Sequence, residues 1–159
     1  MTGTITSDIR ELLAHPATVA TIATLDETGA PYAVPALFLQ LDDSGRLVHP
    51  ELLETSTTHR NLLRSIWFEL PVTITLFSLR GRVTIVRGKV HKAHVSGPLF
   101  SDHYRELRSR LGDVDLAAVW LIDILEIIDD TFALRRAREE ELHPFFKHLD
   151  RLAVADRTP

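Results

Sequence analysis

The hydrophobic pattern of this 159-residue chain predicts six strands and two longer helices. Runs of β-branched residues bounded by glycine, proline or aspartate are typical of strands. By this criterion the strands are residues 17–25, 32–41, 46–49, 72–79, 82–93 and 116–128. Apolar residues at helical spacing predict helices over 58–69 and 98–111. A short N-terminal helix, capped by Ser7 or Asp8 and ended by Pro16, precedes the first strand.

Several residues within the strands predict how those strands lie in the sheet. Pro31 and Pro35 cannot donate backbone hydrogen bonds, so the second strand should be bulged or lie at an edge. Gly88 suits a bend or a bulge in the fifth strand. The last strand, 116–128, is apolar on both faces, which predicts that it is covered on both sides, with a partner subunit as one candidate cover.

The order of the elements favours one architecture. Helices follow only the third and the fifth strand, whereas a doubly wound parallel sheet would need a helix after almost every strand. A small antiparallel barrel needs fewer helices. We therefore predict a single, mainly β domain in which an antiparallel barrel is flanked by helices.

The segment 53–61, LETSTTHRN, is the most distinctive stretch of the sequence, because four hydroxyl residues lead into a helix. A helix start offers unpaired backbone N–H groups and the positive end of the helix dipole, so it suits a phosphate group. The alternative is that one hydroxyl only caps the helix. The apolar residues Leu62, Leu63, Ile66 and Trp67 predict the face of this helix that covers the barrel mouth.

Composition excludes several classes of function. The net charge is −4, so no overall basic field would hold nucleic acid or an anionic membrane. The chain contains no cysteine, which excludes disulfides, thiolate catalysis and cysteine-ligated metals. No apolar run has the length of a signal peptide core or a membrane span. We expect a cytoplasmic protein with no nucleic acid or membrane as partner.

Two further groupings of polar residues point only weakly to chemistry. His91 and His94 lie three apart in a predicted strand, where alternation sends them to opposite faces, so they form a poor chelating pair. Asp102 and His103 follow Ser101, but a helix start explains these residues better than a hydrolase site, since no nucleophile elbow is present. The charged run 135–141 is typical of a solvated helix.

The chain resembles the FMN-binding split barrel of the pyridoxamine 5′-phosphate oxidase-like family, and is similar to its small bacterial FMN-binding proteins. The resemblance covers residues 18–128. It rests on the opening hairpin TIATLDETGAPYAVPALF, on the strand, hydroxyl-rich loop and helix VHPELLETSTTHRNLL, and on the fifth strand RVTIVRGKV. It implies a six-stranded antiparallel split barrel of Greek key type at residues 17–128, with an N-terminal helix at 1–16 and a helical tail at 129–159.

The resemblance further implies a homodimer that binds two FMN molecules between its subunits. The second strand would line the flavin ring, the end of the third strand would lie nearby, and the loop and helix start would hold the phosphate. Trp120 would either contact a ring across the dimer or simply pack at the interface. No catalytic acid is required, because the flavin itself carries the electrons. The implied cofactor-binding residues are Val34, Pro35, Ala36, Leu37, His49, Pro50, Glu51, Ser56, Thr57, Thr58, Arg60, Asn61, Arg82 and Trp120.

Two positions depart from the family pattern. Thr57 stands where a close relative would carry a lysine, so the phosphate would depend on Arg60 or Arg82 for positive charge. Val83 replaces a polar residue of the oxidase, which disfavours pyridoxamine phosphate oxidation. Two hypotheses remain. The first is an FMN-dependent oxidoreductase that acts on a small molecule or an electron carrier. The second is a non-catalytic binding protein for haem, a deazaflavin or another ligand.

Overall fold

The structure, a computed structural model, describes residues 2–144, and of residues 2–6 only the backbone. Four helices and seven strands follow one another along this part of the chain. They are α1 (Thr2–Ala14), β1 (Val19–Leu25), β2 (Pro31–Pro35), β3 (Gln40–Leu41), β4 (Leu47–Glu51), α2 (Thr57–Phe68), β5 (Pro71–Phe77), β6 (Val83–His94), α3 (Pro98–Leu111), β7 (Ala118–Asp129) and α4 (Phe132–Leu142).

All strand pairs are antiparallel, and they form one curled sheet in the order β2-β1-β5-β6-β7-β4-β3. The predicted fold class is confirmed: the protein is mainly β, with helices flanking an antiparallel sheet of the split-barrel type. The predicted number of strands is wrong, because the described residues contain seven strands instead of six.

The extra strand arises because the predicted second strand is two strands. Its first part, β2, ends at Pro35, and Phe38 then adopts a left-handed backbone with φ 58°. That conformation takes the chain out of an extended path. The chain therefore leaves β1 and, after only four residues, pairs as β3 with β4 at the other end of the strand order, which the curl of the sheet brings near β2. The edge position predicted from the prolines is confirmed for β2.

A bulge in β6 lies at the glycine where the sequence predicts one. The pairing of β6 with β7 shifts register between Arg87 and Gly88. A Cβ atom on Gly88 would lie 2.6 Å from Cγ2 of Ile122 and 2.9 Å from the carbonyl oxygen of Asp123. Only glycine allows β7 to approach this closely.

Two apolar clusters lie on opposite faces of the sheet. The first fills the inside of the curled sheet and contains Trp120 and Ile122 of β7. The second contains Val119 and Leu121 of the same strand, which pack with Leu107 of α3. The predicted burial of β7 on both faces is thus confirmed over its first half, but its second cover there is α3 and not a partner subunit.

Helix α2 packs on the sheet with a different face from the one predicted. Its buried residues are Thr58, Asn61, Leu62 and Ser65. Of the predicted apolar stripe only Leu62 is buried, whereas Trp67 is 80% exposed. The prediction was wrong because small polar residues fit closely under the helix, where buried hydrogen bonds satisfy them, such as the one from Ser65 Oγ to the carbonyl of Asn61 (2.9 Å).

The two ends of the described chain are helical. The first helix begins at Thr2, before the predicted caps Ser7 and Asp8. The charged run 135–141 lies in α4, where Arg136 and Glu140 form an ion pair of 2.8 Å, as predicted for a solvated helix. A further helix predicted around residues 144–152 lies outside the described residues. Among residues 2–144, no helix has the length and hydropathy that crossing a membrane would need.

Candidate functional site

A cavity of about 370 Å³ lies between β2, the end of β4 and the start of α2. This volume is within the range of small-molecule and cofactor sites. Eight of the predicted site residues line it: Val34, Pro35, Leu37, His49, Pro50, Glu51, Ser56 and Thr58. Tyr32, Leu52 and Leu53 also line it, and they were not predicted. The fold therefore brings the apolar end of β2 next to the hydroxyl-rich helix start.

The three lining residues that sequence reasoning missed are sequence neighbours of residues that it found. Tyr32 lies two positions before Val34 on β2, so both side chains project from the same face. Leu52 and Leu53 directly follow Glu51, in the loop that leads to α2. Extending each predicted segment by two residues would have included all three.

The start of α2 is built by a capping serine. Ser56 is the N-cap residue, and its hydroxyl oxygen accepts a hydrogen bond from the backbone N–H of His59 at 2.9 Å. The capping function considered for the hydroxyl run is therefore present at Ser56. Thr58 is buried and faces the cavity, so a second hydroxyl lies at the same helix end. Capping fixes this helix end beside the cavity.

Arg60 supplies positive charge next to that helix end. Its guanidinium donates to the hydroxyl of Thr57 at 3.2 Å and to the carbonyl of Thr55 at 3.5 Å. Neither Thr57 nor Arg60 lines the cavity. Both lie on the first turn of α2, next in sequence to the cavity residues Ser56 and Thr58, and the side chain of Arg60 is solvent-exposed.

Asn61 has a structural role inside the sheet. It is 3% exposed, and its side-chain amide donates to the hydroxyl of Thr24 on β1 at 3.0 Å. This buried hydrogen bond fixes α2 against β1. Asn61 therefore positions the helix start and does not line the cavity.

Three other predicted site residues do not line the cavity. Ala36 is 5% exposed and packs in the inner core. Trp120 is fully buried in the same core, with its ring 5.4 Å from that of His59, so its side chain does not reach the surface of the single chain. Arg82 is held by Asp8 at 3.3 Å and Asp129 at 3.7 Å, under α1. The structure therefore favours Arg60 over Arg82 beside the helix start.

His49 is the most unusual residue of the cavity wall. It is 4% exposed, and neither of its ring nitrogens has a hydrogen-bond partner among the described residues. Burial lowers the pKa of His49 to about 4, and the nearby carboxylate of Glu51 offsets only part of this effect. Nε2 lies 4.0 Å from Oε2 of Glu51, while Oε1 accepts a hydrogen bond from the backbone of Leu53 at 2.9 Å. The imidazole is therefore neutral at pH 7.

The low pKa of His49 predicts acid sensitivity. The ordinary pKa is 6.5, so the unfolded chain takes up the proton more readily than the folded one. The resulting stability is complete above pH 6.5 and is lost as the pH falls toward 4. At pH 5 we expect a loss of about 2 kcal/mol relative to pH 7.5. Urea unfolding at both pH values measures this loss of unfolding free energy, and His49→Phe should lack this part of the pH dependence. If the unfolding free energy of both proteins depended equally on pH, His49 would not be its source.

Comparison with known proteins places the chain in a family. The sequence profile described as pyridoxamine 5′-phosphate oxidase matches residues 5–128. No curated protein matches the chain at significant similarity. Among solved structures, an FMN-binding protein from Syntrophomonas wolfei has a TM-score of 0.65 at 14% identity, over 79% of this chain and 86% of that one.

Two other solved structures with the same fold come from other bacteria. HupZ from Group A Streptococcus has a TM-score of 0.64 at 18% identity, over 79% of this chain and 94% of that one. HutZ from Vibrio cholerae, a heme storage protein, has a TM-score of 0.55 at 16% identity, over 77% of this chain and 92% of that one. At these identities the likeness establishes the fold alone. The profile match, which spans most of the chain, shows that this protein belongs to the pyridoxamine 5′-phosphate oxidase family.

Proposed function

We propose that this protein binds FMN in the cavity between β2, β4 and α2, at the interface of a homodimer, and acts as an oxidoreductase on a small molecule. The observation that carries the proposal is the meeting of two surfaces in one cavity: the apolar residues Val34, Pro35 and Leu37, and the capped helix start with Ser56 and Thr58. The first surface suits a flat aromatic ring, and the second suits a phosphate.

The cavity and the adjoining helix start offer groups for both the ring and the phosphate of FMN. Backbone N–H groups at the start of α2, the hydroxyl of Thr58 and the guanidinium of Arg60 would hold the phosphate. Pro35 and Leu37 would pack on the ring, which supplies the electron-transfer chemistry when bound. The protein itself would contribute position and the exclusion of water.

A second copy of the chain would complete the site. Leu37 is 59% exposed and Leu53 is 65% exposed, although both line the cavity. Trp67 and Phe68, on the outward face of α2, are also exposed. Apolar side chains exposed at the cavity and at the far end of α2 favour coverage by another protein surface. The homodimer is the cover that we propose, with the flavin between the two chains and the substrate or an electron carrier entering beside it.

A non-catalytic binding function is the second candidate, because the resemblance implies a lysine where this chain has Thr57, and Arg60 is then the cation of the first helical turn. A haem, a deazaflavin or another ligand would then occupy the cavity. The visible absorption spectrum of freshly purified protein, followed by titration with FMN, separates the candidates. One flavin per chain supports the proposed function. A Soret band, or no uptake at micromolar FMN, supports the second candidate.

Arg60→Ala is expected to lower the affinity for FMN about fivefold and to leave the affinity for riboflavin unchanged, because a solvent-exposed charge next to a phosphate contributes about 1 kcal/mol. Quenching of flavin fluorescence measures both affinities. Arg64→Ala is the matched control, since Arg64 lies one turn further along α2, with its guanidinium 5.2 Å from the centre of the Phe68 ring. Equal losses for FMN and riboflavin would reject the role of Arg60 in holding phosphate.

A further inference from the structure

A second cavity lies between α1 and the paired ends of β6 and β7, and it shares no lining residue with the cavity between β2, β4 and α2. Its volume is about 240 Å³. This volume is below that of typical cofactor sites, so the cavity suits a small molecule. Its lining has an apolar part, made by Ile9, Leu12 and Ile127, and a polar part, made by Asp8, Arg82, Thr84 and Asp129.

Two carboxylates share a single guanidinium in this cavity. Arg82 donates to Oδ2 of Asp8 at 3.3 Å, and its Nε lies 3.7 Å from Oδ2 of Asp129. Hydrogen bonds from Thr131, together with the charge of Arg82, hold the pKa of Asp129 below its usual range. The three side chains therefore carry a net negative charge at pH 7, and each is 40–49% exposed. This charge favours a cation as ligand and disfavours an anion.

Thr84 adds a buried hydroxyl that lacks a hydrogen bond. Its residue is 2% exposed, and its Oγ1 has no partner among the described residues. Thr84 pairs directly with Asp129 across β6 and β7, so the two side chains share the face of the sheet that lines the cavity. A buried hydroxyl without a partner lowers stability. Rotation about the Cα–Cβ bond of Thr84 would turn this hydroxyl toward a ligand in the cavity.

We propose that this second cavity binds a primary ammonium ion that carries a short aliphatic chain. An ammonium group of this kind donates three hydrogen bonds. The cavity offers three kinds of acceptor for them: the carboxylates of Asp8 and Asp129 and the hydroxyl of Thr84. The aliphatic chain would pack on the apolar part of the lining.

Arg82 is the competitor of this ligand, because its guanidinium pairs with both carboxylates. Its side chain is 41% exposed, so it can turn toward solvent when the ammonium group binds. The inference does not depend on the proposed function, because the two cavities have no residue in common.

Isothermal titration calorimetry with butylammonium chloride at low ionic strength tests the ligand class. We expect a dissociation constant of about 1–10 mM, as a ligand of so few atoms allows. Butyltrimethylammonium keeps the charge and the chain but has no N–H group, and butanol has the chain without the charge. Both should bind at least about tenfold more weakly. Butyrate should not bind, because two carboxylates would repel it.

Substitutions at the polar part of the lining should change the affinity in opposite directions. Asp8→Asn and Asp129→Asn each remove a charged acceptor and should lower the affinity for butylammonium about tenfold. Thr84→Val removes the third acceptor and should lower it about threefold. Arg82→Gln removes the competing cation and should raise it about fivefold. Asp113→Asn, at an exposed carboxylate paired with Arg108 beyond the end of α3, is the matched control and should leave the affinity unchanged.

The direction of these changes decides the inference. Tighter binding by Arg82→Gln with weaker binding by Asp129→Asn supports it, because a mere loosening of α1 would weaken binding in both variants. Weaker binding in both variants, equal binding of butanol, or no binding at about 50 mM butylammonium would overturn it. Binding by Arg82→Gln but not by the wild type would also overturn it, since the guanidinium would then fill the site in the natural chain. Titration with FMN tests the proposed function separately, so either can fail without the other.

Discussion

Gly88→Val is expected to lower the free energy of unfolding by more than about 4 kcal/mol, and Gly88→Ala by about 3 kcal/mol. The first atom of any side chain at this position would overlap Ile122 and the backbone of Asp123, at 2.6 and 2.9 Å. The backbone of β7 cannot move away without breaking its pairing with β4 on its other side. Urea or thermal unfolding measures the loss, and the alanine variant should melt about 6–12 °C lower.

Gly29→Ala is the matched control for Gly88→Ala. Gly29 has a positive φ of 81°, but a Cβ atom there meets nothing within 4 Å. The control therefore measures backbone strain without overlap, for which we expect about 1 kcal/mol. Equal losses in the two alanine variants would show that the close approach of β7 to Gly88 does not limit the fold.

Ser56→Asp is expected to lower the affinity for FMN about a hundredfold and to leave the fold and the affinity for riboflavin unchanged. Aspartate caps a helix as well as serine does, and its charge is favourable at a helix start. The same negative charge would lie on the wall of the cavity, a few ångströms from a phosphate that carries nearly two negative charges. Repulsion should therefore act on FMN alone. Fluorescence titration and thermal unfolding measure the two effects separately.

Ser56→Asn provides the neutral control for this substitution. Asparagine is an equally good N-cap residue but adds no charge, so FMN should bind as it does to the wild type. If Ser56→Asp binds FMN as tightly as Ser56→Asn, the phosphate does not lie at the start of α2. If the phosphate binds at this helix end, high salt should also reduce the difference in FMN affinity between the two variants, because salt screens the repulsion.

The sequence predicted the elements and the family more accurately than the individual contacts. The edge position of β2, the bulge at Gly88 and the capped helix after β4 each follow from the properties of proline, glycine and serine within a few residues. Such local rules depend on φ and on backbone donors, which a short stretch of chain determines. Eight of the predicted residues line one cavity. They lie near the ends of β2, β4 and α2, whose order along the chain the family resemblance already implied.

Two of the predicted site residues have surroundings that come from distant parts of the chain. Trp120 was assigned to a ligand, but its side chain points into the sheet, next to a helix some sixty residues earlier in the chain. Arg82 was one of two arginines considered for the phosphate, and it pairs with Asp8 of α1 and Asp129 at the end of β7. Neither ion pair of Arg82 can be predicted from the residues near it in the sequence.

By itself the sequence determined the approximate position of most strands and helices, which strand lies at an edge, and where a helix start offers hydroxyl groups, because backbone sterics and capping act over a few residues. Only the tertiary structure decided that Phe38 divides the second predicted strand, that α2 buries its polar face, and that His49 is enclosed without a partner. These features depend on how the curled sheet brings remote segments together. Burial and hydrogen-bond satisfaction are properties of that packing and not of the local sequence.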